Sequence, residues 1–343
     1  RRKAPQAVKV LVTGATSMIG RATVEGLVRR GDQVTTLQRN PVDDRSDGST
    51  PTEVLGSITD EEVVSRACAG QDAVIHLAAK VGVTGPWAEY EDTNVSGTVH
   101  LIRHARQAGV SRFVHVSSPS VVHGGEPIIG GGADAPMLGR SRAWYPESKA
   151  LAEIAALDAA GVDLGVVAVR PHLVWGPGDT QLVGRIVERA ARGRLARVGG
   201  GRAHVDTTYI DNAVSALVAA VDAVHPGAPC SGRAYVVSNG EPRMIRELVE
   251  GICRAAVVPF APRTVSLRVG RSLGAVVERA WPVLRRSDEP PLTQFLAEQL
   301  GTAHWFDPRP AQEVLGWAPS VSIDDGLDRL AAWYASDPGS AAP

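Results

Sequence analysis

Apolar and polar positions along this chain switch repeatedly between a period near two and a period near 3.6. Val8 to Val12 is a β-branched run of strand length, and after it Ile19, Ala22, Thr23, Leu27 and Val28 fall at helical spacing until Gly31. Gln33 to Leu37 reads as a second strand, so strand, glycine turn, helix and strand make a βαβ unit. Glu53 to Ile58, Asp72 to Leu77 and Arg112 to Ser117 read as further strands, with a helix predicted from Tyr90 to Ala108. A helical run from Tyr145 through Leu157 carries Pro146 in its first turn and Gly161 as its C′ stop, and Val166 to Arg170 is a sixth strand. Strands and helices alternating at these lengths predict an α/β fold built on a doubly wound parallel sheet. Ligands of such sheets gather at the carboxyl ends of the strands, where Thr13, Arg39, Ala78, Ser118 and Tyr145 stand.

The second half is less regular. Leu182 to Ala191 is an apolar-periodic helix, Val205 to Tyr209 and Ala234 to Val237 are short strands, and Asp211 to Ala220 is a helix with Asp and Asn available as caps. The run Gly199 to Arg202 is most simply a flexible turn, with a phosphate nest as the alternative. Val265 to Leu284 places Val269, Leu273, Val276, Val277 and Ala280 against arginines at 268, 271, 279, 285 and 286. Three readings fit that pattern: a packed helix with a solvated face, a lid over the pocket, or a basic amphipathic face for a membrane or a partner enzyme. Arg285 to Pro291 reads as a loop, and Phe306 to Gly316 with Ser322 to Tyr334 as a closing strand and helix.

Composition narrows the class. Apolar residues at 44% and charged residues at 21% are ordinary globular usage, and 36 basic against 37 acidic side chains give no field suited to nucleic acid. Cys68, Cys230 and Cys253 lie far apart, so neither a disulfide framework nor a zinc site is expected, and buried thiols in a reducing compartment are. The opening residues show no signal-peptide core and no apolar run reaches the ~18 residues of a membrane span, so a cytoplasmic protein is expected. His100 and His104 share a helix face without a recognisable third ligand, and no metal is expected.

Candidate chemistry begins at Thr13-Gly14-Ala15-Thr16-Ser17-Met18-Ile19-Gly20. Glycines at such a turn let backbone approach a pyrophosphate whose charge then sits on a helix N-terminus. At the end of the second strand, about 20 residues on, an NAD site usually carries an acid for the ribose hydroxyls. This chain reads Leu37-Gln38-Arg39-Asn40 instead. Arg39 offers a planar, permanently charged fork suited to a 2′-phosphate, which points to NADP(H). Farther along, Tyr145 and Lys149 stand at i and i+4 on one helix face, a phenol beside an ammonium.

Taken together, TGATSMIG, HLAAK, TNVSGT, VSSPSVV, YPESKALAE and RPHLVWGPGD resemble, in order and spacing, the extended short-chain dehydrogenase/reductases, most strongly their 3β-hydroxysteroid dehydrogenase branch. Within it, Arg170 to Asp211 is most similar to bacterial 2-alkyl-3-oxoalkanoate reductases of long-chain olefin biosynthesis. The resemblance implies a Rossmann domain over 8–178, with 204–238 partly returning to it, and a substrate-binding and lid region over 179–338. It implies Tyr145 as acid–base, Lys149 as the cation beside it and holder of the nicotinamide ribose, and a serine that orients the carbonyl. Ser117, Ser118 and Ser120 are candidates, and the family's serine-x-x-valine spacing selects Ser118. Asn94 matches a family asparagine that supports active-site backbone or a relay water. The implied cofactor contacts are Gly14, Ser17, Met18, Ile19, Gly20, Arg39, Ser57, Ile58, Ala78, Ala79, Tyr145, Lys149, Pro171 and Val174. The family's middle glycine is replaced here by Ser17. The implied substrate is a lipid-like keto acid, with a hydroxysteroid as the alternative, and the family's habit is a homodimer. A regulatory protein that senses NADP(H) without turnover is the rival of another class, and the intact Ser118, Tyr145 and Lys149 set weighs against it.

Overall fold

In the computed structural model, the described residues are 7–41, 51–82, 85–139, 143–283 and 293–336. Arg285, Arg286 and the loop that follows them lie outside these. Seven strands form one parallel sheet: β1 (Lys9–Thr13), β2 (Gln33–Gln38), β3 (Thr52–Leu55), β4 (Ala73–His76), β5 (Arg112–Val116), β6 (Gly165–Pro171) and β7 (Arg233–Val237). Their order is β7-β6-β5-β4-β1-β2-β3, so the chain winds outward in both directions from β1, and the crevice between the ends of β1 and β4 opens at that reversal. The all-apolar centres of β1, β4 and β6 are buried on both faces, as a sheet covered by helices on each side requires. One layer packs Val10, Val12, Ile75, Val114 and Val167 against the helices Met18–Arg30 and Ile210–Ala223; the other packs Leu11, Val74 and Phe113 against Glu61–Cys68 and Gly97–Gln107.

Several elements differ from what periodicity predicts. β3 stops at Leu55, before Gly56 (φ 153), so Ser57 and Ile58 lie beyond it in the turn. The run predicted as one helix from Tyr90 is helical from Trp87 but opens into a π-helical turn over Glu91–Ser96 before Gly97–Gln107. The Tyr145 helix spans Trp144–Asp158 and closes on Ala159 in right-handed geometry, so Gly161 is not its C′ residue. Val205 to Tyr209 is two short strands in different sheets, His204–Val205 and Thr208–Tyr209. The helix expected from Asp211 begins at Ile210 with no side-chain cap, because Asp211 pairs with Arg329 and Asn212 bonds the carbonyl of Val321.

A second, four-stranded sheet joins Arg243–Met244, His204–Val205, His304–Phe306 and Ile128–Gly131, so a strand from the first half of the chain is built into the second half's sheet. The triglycine turn is a short 3-10 segment, Gly199–Gly201, with all three residues at positive φ. The segment from 265 is the helix Leu267–Val283. It lies on Gln294–Gly301, close enough that a Cβ at Gly274 would stand 2.5 Å from the Thr293 carbonyl carbon. Arg271 ties it inward to the carbonyl of Gly125 and to Glu298, while Val269, Leu273 and Val276 are exposed on its outer side. None of the described helices is long and apolar enough to cross a membrane.

Candidate active site

Two adjoining clefts of about 930 and 900 Å³ run along the carboxyl ends of the strands and share Thr16, Ser17, Leu77, Ala79 and Val81 in their walls. The first is lined by Gly14, Arg39, Ser57, Ile58 and Ala78, the second by Met18, Ile19, Ser118, Tyr145, Lys149, Pro171 and Val174. Of the residues expected from sequence, only Asn94 and Gly20 stand outside both linings, and each is buried behind them.

The glycine turn has a physical account at each position. Gly14 adopts φ 72, and a Cβ there would lie 2.8 Å from the backbone nitrogen of Ala78, so only glycine lets the ends of β1 and β4 meet. At Gly20 a Cβ would fall 2.3 Å from the carbonyl oxygen of Gly14. Ser17 is the N-cap of the helix: its hydroxyl accepts from the Gly20 amide at 3.0 Å and donates to the Gly14 carbonyl at 2.9 Å. A side chain is therefore tolerated at 17 because it folds back into the turn. The first turn of this helix contains no acidic residue, which leaves its positive end uncompensated. These features fit a dinucleotide pyrophosphate.

Arg39 is exposed at the end of β2 and lines the first cleft. Glu53 on β3 accepts a hydrogen bond from Gln38 at 3.1 Å and does not line that cleft. No carboxylate among the described lining residues comes from the end of β2, and those present, Glu89 and Asp92, come from the segment after β4.

In the second cleft, Ser118 caps a short 3-10 turn, Pro119–Val122, and its hydroxyl oxygen accepts from the Ser120 amide at 3.2 Å and the Ser120 hydroxyl at 2.9 Å. That leaves the Ser118 proton to face the cleft that Tyr145 also lines. The three serines thus separate by role: Ser120 holds Ser118, and Ser117 presents a buried hydroxyl without a protein partner to the cleft wall. Burial pushes the Tyr145 phenol above its usual pKa, with the Ser118 side chain pulling the other way. Lys149 is 3% exposed and donates to the Val116 carbonyl at 2.6 Å. Desolvation lowers its pKa to about 8, against the opposing pull of Glu153 one turn further on.

Asn94 acts on backbone. It sits in the π-turn, accepts from the Lys80 amide at 2.6 Å, and donates to the Lys80 carbonyl and to the Ser148 hydroxyl at 3.0 and 2.8 Å. Ser148 in turn donates to the Tyr145 carbonyl at 2.9 Å. Two residues that sequence reasoning passed over anchor the same helix. Glu153 and Arg170 are almost wholly buried and form a two-pronged pair, with Arg170 Nη2 also donating to the Asp134 carbonyl at 2.9 Å. A lone arginine closing the apolar run Val166 to Val169 was the available signal. Leu173 was passed over as well: it lines the cleft at φ 44, a strained conformation for a non-glycine residue. His100 and His104 both face Glu61 at the surface, where Arg103 also pairs with it, and no described cluster could hold a metal.

With this geometry in place, the comparisons are direct. The model of the 3-beta hydroxysteroid dehydrogenase/isomerase family matches residues 11–264. A 2-alkyl-3-oxoalkanoate reductase of Stenotrophomonas maltophilia is 45% identical over 327 residues, covering 95% of this chain and 99% of that one. A 3-beta-hydroxysteroid dehydrogenase of Mycolicibacterium neoaurum is 30% identical over 95% of this chain and 91% of its own. Among solved structures, MoeE5 in complex with UDP-glucose and NAD superposes with a TM-score of 0.73 at 25% identity, covering 96% of this chain and 99% of that one.

Proposed function

We propose that this chain, which belongs to the 3-beta hydroxysteroid dehydrogenase/isomerase family, reduces the 3-keto group of a long-chain 2-alkyl-3-oxo acid to the 3-hydroxy acid with NADPH. That it is an oxidoreductase of the CH–OH/C=O class using a nicotinamide dinucleotide follows from its relatives and its cleft together. The observation that carries the catalytic reading is the convergence of the Ser118 hydroxyl, the Tyr145 phenol and the Lys149 ammonium on one cleft wall. The substrate reading is supported by the 45% identity with a named 2-alkyl-3-oxoalkanoate reductase, against 30% for the hydroxysteroid dehydrogenase.

When bound, the reduced cofactor supplies hydride to the carbonyl carbon. The protein handles the proton. A phenol carries its proton at neutral pH, so Tyr145 can give it to the carbonyl oxygen as the hydride arrives, yielding the alcohol and a phenolate; burial raises the cost of that phenolate and makes a nearby cation necessary. Ser118 donates to the same oxygen and fixes its position while charge develops there. Lys149, held beneath the site by the Val116 carbonyl, favours the phenolate electrostatically, so proton transfer costs less than it would in an uncharged pocket. Arg39 would take the 2′-phosphate of NADPH at the far end.

Purified protein given NADPH and a 2-alkyl-3-oxo acid should oxidise the cofactor at least tenfold faster, as kcat/KM, than it reduces NAD(P)⁺ with a 3β-hydroxysteroid. The reverse ranking would replace the keto-acid reading by the steroid one, and tight cofactor binding with neither turnover would favour a sensor.

A further inference from the structure

The motif around Asn94 contains a second residue, Thr98, to which the reaction above assigns no part. Thr98 is buried, and its hydroxyl donates to the Asn94 carbonyl at 2.6 Å, across the π-turn. Its oxygen also lies 2.9 Å from Nε2 of His76, at the end of β4. On the other side of that ring, Nδ1 lies 2.8 Å from the Thr13 hydroxyl, at the end of β1. The Thr13 oxygen accepts in turn from the amides of Leu77 and Ala78, at 3.2 and 3.1 Å.

The proton positions in this chain follow from counting. Thr98 has one hydroxyl proton and gives it to Asn94, so it must accept from His76 Nε2–H. Thr13 already accepts two amide protons, so it gives its own proton to His76 Nδ1. His76 is then a neutral Nε2–H tautomer with both ring nitrogens satisfied. Burial agrees with that state, lowering the ring's pKa to about 3. The imidazole spans two structures with different tasks. Thr13 belongs to the glycine turn that faces the pyrophosphate. The Asn94 carbonyl belongs to the π-turn whose side chain holds Lys80 and, through Ser148, the Tyr145 helix.

We propose that His76 is a positioning residue that joins the nucleotide turn to the catalytic helix, each ring nitrogen serving one side. This deepens the reductase reading and rests on it for the catalytic half alone. The wider π-turn supports the inference: an i→i+5 turn projects the Asn94 side chain inward while its carbonyl still finds the Thr98 hydroxyl. The path from Thr13 Oγ1 to Tyr145 O is continuous through His76, Thr98, Asn94 and Ser148.

Two amides can replace the ring one side at a time. His76→Asn places an acceptor near Nδ1 and loses the donor to Thr98; His76→Gln places a donor near Nε2 and loses the acceptor for Thr13. The Asn variant is expected to keep NADPH affinity, read by fluorescence titration without substrate, within about threefold while kcat falls about tenfold or more. The Gln variant is expected to weaken NADPH about tenfold while kcat at saturating cofactor stays within about threefold. Thr98→Ala should repeat the Asn phenotype and Thr98→Ser should restore it, so the proposal stays testable if a ring substitution fails to fold. Equal changes of both quantities in both His76 variants, or no change in either, would overturn it. Should the parent protein turn over no carbonyl substrate, the reductase reading falls alone, since the titrations still decide whether the Thr13 side of the ring controls cofactor affinity.

Discussion

The two halves of the cleft are held by opposite means. The nucleotide half is made of backbone: two glycines that allow close approach, a serine cap, and a helix whose first turn carries no acid. The catalytic half is made of buried charge: an ammonium on a main-chain carbonyl and a carboxylate–guanidinium pair that anchors the same helix. Side chains that only line the nucleotide half, Arg39 above all, should move affinity more than stability when replaced, whereas a Cβ at Gly14 or Gly20 would meet backbone and strain the turn itself. Buried charges are unfavourable to fold, so substitutions in the second half should exchange stability for activity.

The comparison can be broken at four points. Tyr145→Phe should lower kcat by about a thousandfold or more while leaving NADPH affinity within several-fold, checked by steady-state kinetics and titration. Arg170→Met strands the Glu153 carboxylate and should destabilise the fold by about 3–5 kcal/mol in chemical denaturation; replacing both partners with apolar residues should recover most of that loss. Arg39→Ala should weaken NADPH by about 1.5–3 kcal/mol, the worth of a charged hydrogen bond, and leave NADH nearly unchanged. An unaltered preference between the two cofactors would remove the 2′-phosphate from this end of the cleft.

The smallest effect has the least intuitive sign. Lys149 has its pKa lowered to about 8 from 10.5, so the unfolded chain binds its proton more tightly than the folded one. The burial cost is fully present below about pH 8 and is relieved as pH rises toward 10.5. Lys149→Met should therefore abolish activity yet raise the thermal midpoint at pH 7 by about 2–4 °C, with the gain shrinking as pH rises through that window. A fall in midpoint at pH 7 would show that the bond to Val116 outweighs desolvation.

What could be read from the sequence follows the same division. Gly14, Gly20, Tyr145 and Lys149 stand out in the sequence because they lie in short runs flanked by strands and helices, whereas Ser118 is separated from Ser117 and Ser120 only by the family resemblance. The π-turn is not legible, because its register is set by contacts of Asn94 with Lys80 and Ser148. Nor is the Glu153–Arg170 pair, which joins a helix to a strand across 17 positions. Val205 to Tyr209 reads as one strand since periodicity cannot register a chain leaving one sheet for another at Asp206 and Thr207. Asp211 and Asn212 read as caps because that is their commonest local use, whereas both side chains are claimed by the C-terminal segment.

The most direct measurement is to supply reduced cofactor carrying deuterium at the transferable C4 position together with a 2-alkyl-3-oxo acid, and to analyse the product by mass spectrometry. The expected result is a 3-hydroxy acid with one deuterium on C3, formed by the parent protein and not by Tyr145→Phe. Bound cofactor with no labelled alcohol from this or any carbonyl compound offered would contradict a site built for reduction.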